Sequence, residues 1–481
     1  MPISRSVILA IVKSENKKLQ PVVSAARAAA FDILLRVERD GAYASELLHS
    51  RIYDRLDAGD HALATELVMG VLRWRSWLDS EIAKCSSQPL ARLDLEILSA
   101  LRLAVYQLGW LTRIPARAAL HESVELVKRA RKRSAAGFVN AVLRKLAGKH
   151  ADVLHEIADS SPEVLATSSA HPLWLVERWA RAFGLESAAQ VCRQDQTIPV
   201  TAIRLRRPEA EDELRREGID VAPGALLASA RRVLRGDVSG TAAFRAGLCA
   251  IQGEASQLVA ALVGHGARVL DCCAAPGGKT AAIADGNPQA KIVAVELHSH
   301  RAGMLRRLLN PGDKVQGQAG KIFIAAADAR DLPLAVQFDR VLADVPCSGT
   351  GTLSRNPEIK WRLVPEDLTD LQGRQIAILR SAMERVAAGG RLIYSTCSLE
   401  SEENEEVIEA ALAPEHAGPD SGFRLLNCGA EIEHLKEKGE LVYSDISSLT
   451  RGPYLRTLPG VHPCDGFFAA ILEKELAEPE S

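Results

Sequence analysis

The feature that most constrains the fold is an alternation of strands and helices that begins at Arg268. Short apolar runs recur along this part of the chain, with helical stretches at about 298–309 and 373–387 between them. Five of these runs are predicted to be strands: Arg268–Asp271, Lys291–Glu296, Ile322–Ala326, Phe338–Asp344 and Gly390–Thr396. Strands that alternate with helices predict a mostly parallel, doubly wound α/β sheet. In such a sheet, ligands bind at the carboxyl ends of the strands.

The front of the chain has a different pattern, in which apolar residues recur at spacings of three and four. This spacing is typical of amphipathic helices, and it is clearest at residues 25–37, 65–78 and 94–108. The breaks between these stretches are short. We therefore predict a compact all-α bundle over residues 22–150.

The middle of the chain is less regular. The run Ile198–Leu205 alternates like a strand, and the charged stretch Glu209–Glu217 is typical of a helix. We predict a small α+β linker module at residues 165–250, followed by the α/β domain at residues 251–475. Three domains are in keeping with a chain of 481 residues.

The charged side chains are distributed unevenly between the front of the chain and the remainder. The 59 basic and 61 acidic side chains give a net charge of −2, which taken alone argues against a polyanionic partner. Residues 1–150, however, carry 24 basic and 15 acidic side chains, a net of +9, and the remainder carries −11. A run such as Lys128–Arg133 is by itself most simply a solvated helix face, but the basic excess extends from Arg113 to Lys149. Because a localised positive face attracts a phosphate backbone, we expect the bundle to bind RNA.

Several classes of protein are disfavoured by the sequence. No apolar run approaches the ~20 residues of a membrane-spanning helix, and the run Val7–Val12 is too short for a secretory signal, so we predict a cytoplasmic protein without membrane contact. The nine cysteines are odd in number and show no CxxC pair, which predicts free thiols without a metal site. The absence of a long heptad pattern favours a monomer.

The first predicted strand runs into a loop of small residues that suits close approach by a ligand. The loop residues are Cys273, Ala274, Ala275, Pro276, Gly277, Gly278 and Lys279. A P-loop needs glycine at the position of Cys273, and the GxGxxG fingerprint is absent, so an adenosyl ligand without phosphates remains. Glu296 ends the second strand, where it can accept hydrogen bonds from ribose hydroxyls, and Asp328 follows the third, where it can orient the adenine amino group.

Two thiols follow the last two predicted strands. Asp344 ends the fourth strand with Cys347 three residues later, and Cys397 follows the fifth. Two cysteines at strand ends beside a carboxylate suggest nucleophilic catalysis. A thiolate that adds to carbon 6 of cytosine makes carbon 5 nucleophilic toward a methyl sulfonium, and Asp344 can hydrogen-bond the cytosine edge. The residues alone leave open which of the two thiols attacks.

These motifs resemble the Nop/Sun family of RNA cytosine-C5 methyltransferases. The matching stretches are Cys273–Thr280, Asp344–Gly351, Pro357–Glu358, Tyr394–Ser398, Glu403–Glu405 and Asp465–Phe468. The helical front, which ends in Leu143–Leu146, resembles the NusB-like domain of the bacterial Sun/RsmB-type members. The resemblance implies a Rossmann-like methyltransferase domain that uses S-adenosylmethionine to methylate 16S ribosomal RNA.

By this resemblance, Cys397 is the nucleophile and Cys347 helps to release the methylated base. Cofactor contacts are implied for residues 273–279, Glu296, Asp328 and Asp344. Two departures are Cys272, where the family often has leucine, and Gly253, where it often has aspartate.

Two rival functions follow from the same sequence. The first is a non-catalytic RNA-binding or antitermination-type factor with a vestigial methyltransferase domain, which the two thiols and the strand-end acids argue against. The second is an adenosyl-dependent enzyme acting on a protein or a small molecule, which the positive front of the chain argues against.

Overall fold

A computed structural model describes residues 23–53, 55–148, 156–309, 321–413 and 422–476. Val7–Val12 and Lys149 from the sequence analysis lie outside these ranges. The chain divides into two compact units. One comprises Met1–Leu173 with Asn356–Glu358, and the other comprises Trp174–Arg355 with Ile359–Ser481.

The regular secondary structure in the described part of the first unit is helical. Its helices are α1 (Ala25–Asp40), α2 (Ala44–Leu48), α3 (Ala58–Arg73), α4 (Arg75–Cys85), α5 (Leu95–Trp110), α6 (Ala116–Arg129), α7 (Ala136–Ala147) and α8 (Pro162–Ser168). The periodic stretch at 65–78 is divided between α3 and α4, because the backbone at Trp74 leaves the helical conformation. Fully buried side chains from several helices, such as Leu67 and Leu101, form one core.

A close approach of two helices organises this core. Gly70 of α3 faces Tyr106 of α5, and a Cβ atom at Gly70 would lie 1.9 Å from the Tyr106 ring. The Tyr106 hydroxyl donates to Glu66 Oε1 over 2.5 Å, and its ring stacks on Trp110 at 5.1 Å between centroids. Glycine at position 70 thus makes room for an aromatic side chain in the centre of the bundle.

The second unit contains two sheets. Its helices are α9 (Leu173–Phe183), α10 (Leu185–Asp195), α11 (Ala210–Arg216), α12 (Ala242–Arg245), α13 (Glu254–Leu262), α14 (Gly278–Gly286), α15 (Ser299–Leu309), α16 (Ile359–Arg362), α17 (Pro365–Glu384), α18 (Glu405–Leu412) and α19 (Cys428–Glu437). The smaller sheet is antiparallel in the order β2 (Asp220–Pro223), β3 (Ala230–Arg235), β1 (Ala202–Leu205), β4 (Cys249–Ile251). It lies in the stretch predicted to be α+β.

The larger sheet is built around five parallel strands. In spatial order these are β7 (Lys321–Ala326), β6 (Lys291–Glu296), β5 (Arg268–Asp271), β8 (Phe338–Asp344) and β9 (Val386–Thr396). Strands β13 (Phe467–Lys474), β12 (Tyr454–Thr457) and β11 (Thr450–Arg451) extend it antiparallel beyond β9, and β10 (Phe423–Leu426) also pairs with β13. The predicted mostly parallel α/β sheet is confirmed.

Helices cover both faces of the large sheet, because successive strand side chains point to opposite faces. Leu342 packs in a core with residues of α13, α14 and α15, whereas its neighbour Val341 packs in a second core with residues of α17 and α18. Because the five strands β5 to β9 are parallel, their carboxyl ends lie at one edge of the sheet. In the described parts of the chain, no helix is both long and apolar enough to cross a membrane.

Candidate active site

The loop after β5 is held by the last residue of that strand. The buried Asp271 accepts a hydrogen bond from the Thr280 hydroxyl over 2.7 Å and one from the Cys273 amide over 3.3 Å. Burial raises the pKa of Asp271 to about 6. The loop is also joined to both neighbouring strands, since the Cys272 amide donates to Leu342 O and the Ala274 amide to Val295 O, each over 2.8 Å.

The geometry of this loop fits an adenosyl ligand. Gly277 takes the left-handed conformation with φ of +110°, and α14 begins directly after it without a side-chain cap. The first amides of α14 are therefore open to an anionic group such as an amino-acid carboxylate. Glu296, at the end of β6, uses Oε1 to accept the His298 amide over 2.9 Å, so Oε2 is available to a ribose hydroxyl.

Asp328 lies two residues beyond β7 and is bound by a neighbour in sequence. Arg330 contacts both of its carboxylate oxygens, with a closest distance of 2.6 Å, and this hydrogen bonding lowers the pKa of Asp328. Its side chain remains 37% exposed. The Arg330 amide also donates to Asp328 Oδ1 over 3.0 Å, so each carboxylate oxygen already accepts two contacts and an adenine amino group would have to share or displace the Arg330 side chain.

Asp344, the last residue of β8, links the cofactor loop to β9. Lys279 Nζ lies 2.7 Å from Asp344 Oδ2, and the Ser395 hydroxyl donates to Oδ1 over 2.7 Å. Burial lowers the pKa of Lys279, but the Asp344 carboxylate outweighs this effect and the pKa is raised overall. Lys279 is thus an ammonium ion at neutral pH.

The two predicted thiols are adjacent. Cys347 Sγ and Cys397 Sγ are 3.3 Å apart, and the Cys397 amide donates to Cys347 Sγ over 3.3 Å. The hydrogen bond to the Cys397 sulfur, followed by burial, raises the pKa of Cys347 well above its usual range. The Cys347 sulfur therefore carries a proton, which it can share with Cys397.

The two cysteines at the start of the cofactor loop, Cys272 and Cys273, are poor nucleophiles. Burial raises the pKa of both Cys272 and Cys273 well above the ordinary thiol value, which keeps them protonated. Cys347 and Cys397 differ from these two cysteines in that their sulfurs are in contact with each other.

Two glycines, Gly351 and Gly466, allow close contact among three loops: the one after β8, the one after β9 and the one before β13. The Gly351 amide donates to Cys397 O over 2.8 Å, and the Gly466 amide donates to Gly351 O over 2.8 Å. A Cβ atom at Gly351 would lie 2.2 Å from Gly466 O. This contact accounts for a glycine in the Asp344–Gly351 motif and another in Asp465–Phe468.

Sequence reasoning missed a polar network behind the thiols. Ser348 and Ser398, which each follow one of the cysteines, both donate to the buried carboxylate of Glu403. Gln375 of α17 contributes a further hydrogen bond of 2.9 Å. A polar residue after each cysteine is a signal that could have revealed the serines, whereas nothing in the helical pattern around Gln375 distinguishes it.

The basic stretch of the first unit is partly neutralised. Lys128, Arg129 and Lys132 form ion pairs of 2.6, 2.7 and 2.9 Å with Glu125, Asp32 and Asp94, respectively. Within the described ranges, Arg131 and Arg133 are exposed and form no ion pair. Those two guanidinium groups are the part of the run best able to contact phosphate.

Comparison with known proteins identifies both parts of the chain. Residues 262–473 match the family described as "16S rRNA methyltransferase RsmB/F", and residues 24–148 match the NusB family. The chain is 35% identical to the probable ribosomal RNA small subunit methyltransferase B of Bacillus subtilis, over 93% of this chain and 98% of that protein. It is 34% identical to the ribosomal RNA small subunit methyltransferase B of Pseudomonas putida, over 82% of this chain and 89% of that protein.

Solved structures share the fold. The crystal structure of PH0851 superposes with a TM-score of 0.73 at 23% identity, covering 95% of this chain and 100% of that chain. The structure of NSun6 from Pyrococcus horikoshii with SFG gives a TM-score of 0.52 at 19% identity, covering 64% of this chain and 99% of that one.

Proposed function

Because the chain belongs to the 16S rRNA methyltransferase RsmB/F family, we propose that it methylates carbon 5 of a cytosine in 16S ribosomal RNA through a covalent bond to Cys397. The observation that carries this proposal is the pair of sulfurs 3.3 Å apart at the ends of two adjacent strands. A single nucleophile needs only one thiol. A second thiol in contact with the first is suited to a reaction that both forms and breaks a sulfur–carbon bond.

The cofactor is S-adenosylmethionine, and its proposed contacts follow the carboxyl ends of the parallel strands. The loop from Cys273 to Lys279 and the amino end of α14 receive its amino-acid portion, Glu296 its ribose and Asp328 its adenine. When bound, the cofactor supplies the methyl group as an electrophile on a positively charged sulfur. Asp344 is fixed by Lys279 of the cofactor loop and by Ser395, which precedes Cys397 by two residues.

The raised pKa of Cys347 favours Cys397 as the nucleophile. Cys347 retains its proton and donates it toward the Cys397 sulfur, which stabilises a thiolate on Cys397. The Lys279 ammonium interacts favourably with negative charge on Cys397 as well. The thiolate adds to carbon 6 of the cytosine, and carbon 5 becomes nucleophilic.

Asp344 and Cys347 then have separate tasks. The Asp344 carboxyl group hydrogen-bonds the cytosine edge while charge develops on the ring. After methylation, carbon 5 loses its proton to solvent and the bond between carbon 6 and Cys397 breaks. The Cys347 thiol, in contact with the departing sulfur, stabilises the thiolate that is released.

The first unit is proposed to bind the RNA. Its exposed Arg131 and Arg133 present positive charge that is not compensated by acids in the described residues. A non-catalytic RNA-binding factor would share this property, so binding alone does not separate the two functions.

Bisulfite sequencing of unmodified 16S rRNA, incubated with the protein and S-adenosylmethionine, tests the proposal. We expect one cytosine to become resistant to deamination with the wild type and none with Cys397→Ala. Tight RNA binding without any resistant cytosine would refute methylation at carbon 5 and favour the non-catalytic alternative.

A further inference from the structure

A single buried carboxylate connects the two thiol loops. Glu403 lies in the short turn Ser401–Glu403 before α18 and is completely buried. Its Oε1 accepts the Ser348 amide over 2.8 Å and Gln375 Nε2 over 2.9 Å. Its Oε2 accepts the Ser398 hydroxyl over 2.5 Å and also the Ser348 hydroxyl. All of these partners are donors, and the two oxygens of Glu403 are their acceptors.

The position of these donors in the chain gives the carboxylate its importance. Ser348 directly follows Cys347, and Ser398 directly follows Cys397. The two serine hydroxyls are themselves 3.0 Å apart. Because one carboxylate binds the residue after each cysteine, it limits how far the two loops can separate.

The next residue in the chain acts on one of the loops alone. Asn404 Oδ1 accepts the Thr396 hydroxyl over 2.5 Å, and its Nδ2 donates to Ser398 O over 3.0 Å. These bonds hold the chain on both sides of Cys397 but do not reach Cys347. Glu403 is therefore distinguished from Asn404 by bridging the two loops.

We propose that Glu403 is a positioning residue that sets the separation of the Cys347 and Cys397 sulfurs. It touches neither sulfur, and it acts through Ser348 and Ser398. Its effect on methyl transfer rests on the proposed function, whereas its effect on the distance between the sulfurs does not. Glutamine at this position would replace one acceptor oxygen with an NH2 group, so two of the four hydrogen bonds would be lost or would have to reverse their direction.

Thiol crosslinking measures the separation without RNA or cofactor. Diamide oxidises the two thiols to a disulfide, taking up two electrons and two protons as it becomes the hydrazine, and peptide mapping quantifies the Cys347–Cys397 bond. We expect rapid crosslinking in the wild type and crosslinking slower by ~10-fold or more in Glu403→Gln, because the sulfurs are no longer held in contact. The matched control is Glu406→Gln on α18, a carboxylate that binds Gln372 and Ser401 instead.

Methyl transfer provides a second readout. We expect Glu403→Gln to lower kcat by ~100-fold with little change in KM for S-adenosylmethionine, because the thiols are displaced and the cofactor loop is not. If Glu403 acts through the two serines, adding Glu403→Gln to a Ser348→Ala/Ser398→Ala background causes no comparable further loss. A purely structural role would instead give independent, additive losses.

The outcomes are distinguishable. Crosslinking of folded Glu403→Gln at the wild-type rate, or failure of the wild type to crosslink, overturns the inference. If Glu403→Gln does not fold, the Ser348→Ala/Ser398→Ala protein decides in its place: slow crosslinking supports the role of Glu403, and wild-type crosslinking overturns it. If crosslinking behaves as expected while no variant and no wild type methylates cytosine, the proposed function fails and the positioning role stands.

Discussion

Replacing Gly351 with alanine should separate the loops around the thiols by a distance that the structure defines. The new Cβ atom would lie 2.2 Å from Gly466 O, whereas contacts of a Cβ atom below 3.0 Å essentially never occur. Both sides of the contact are backbone, so one loop must move by ~0.8 Å or more. The Gly351 backbone is not left-handed, and alanine is therefore disfavoured by lack of space and not by its φ.

Movement of the Gly351 loop also displaces the proposed nucleophile Cys397, because the Gly351 amide donates a hydrogen bond to Cys397 O. A misplacement of about 1 Å costs ~100-fold in rate, which is about 2.7 kcal/mol in the activation barrier. We expect a loss of this size in the single-turnover rate of methyl transfer to 16S rRNA. Gly373→Ala is the control, since a Cβ atom at this exposed position of α17 meets nothing within 4 Å. A rate for folded Gly351→Ala within threefold of the wild type would refute this reasoning.

Two further predictions concern charge. The pKa of Asp271 in the folded chain is about 6, above the ordinary value, so ionisation of this group opposes folding as pH rises. Asp271→Asn should therefore gain about 1 kcal/mol of stability relative to the wild type between pH 5 and pH 7.5, as measured by denaturant unfolding, and a constant difference would contradict the burial argument. In the first unit, Arg131→Ala/Arg133→Ala should weaken RNA binding and reduce the slope of log K against log salt by about 2, and an unchanged slope would mean that these two residues are solvated surface charges that do not contact the RNA.

Much of the parallel sheet could be predicted because its strands are short apolar runs, of which all but the edge strand β7 lie inside the sheet. The bounds of β5, β6 and β8 are those predicted, and β7 begins one residue earlier. The antiparallel strands after β9 were not predicted. Phe467–Leu472 is an apolar run that could have indicated β13, but its pairing with β9 depends on tertiary contacts that periodicity does not report.

The candidate site could be predicted at the level of residue types at strand ends. Parallel strands bring their carboxyl ends to one edge, so Asp344 and the two cysteines were expected to lie together. In the structure Lys279 contacts Asp344 and interacts with Cys397, whose sulfur contacts that of Cys347. The protonation of Cys347 and the bridging by Glu403 depend on burial and on distances of a few ångströms between loops far apart in sequence. No pattern in the sequence reports those quantities.

The assignment of the two thiols is tested most directly by trapping the covalent protein–RNA adduct. Each single variant, Cys347→Ala and Cys397→Ala, is incubated with 16S rRNA and S-adenosylmethionine and then separated on a denaturing gel. We predict a stable adduct with Cys347→Ala, in which Cys397 attacks but is not released, and no adduct with Cys397→Ala. An adduct with Cys397→Ala and none with Cys347→Ala would contradict the account and make Cys347 the nucleophile.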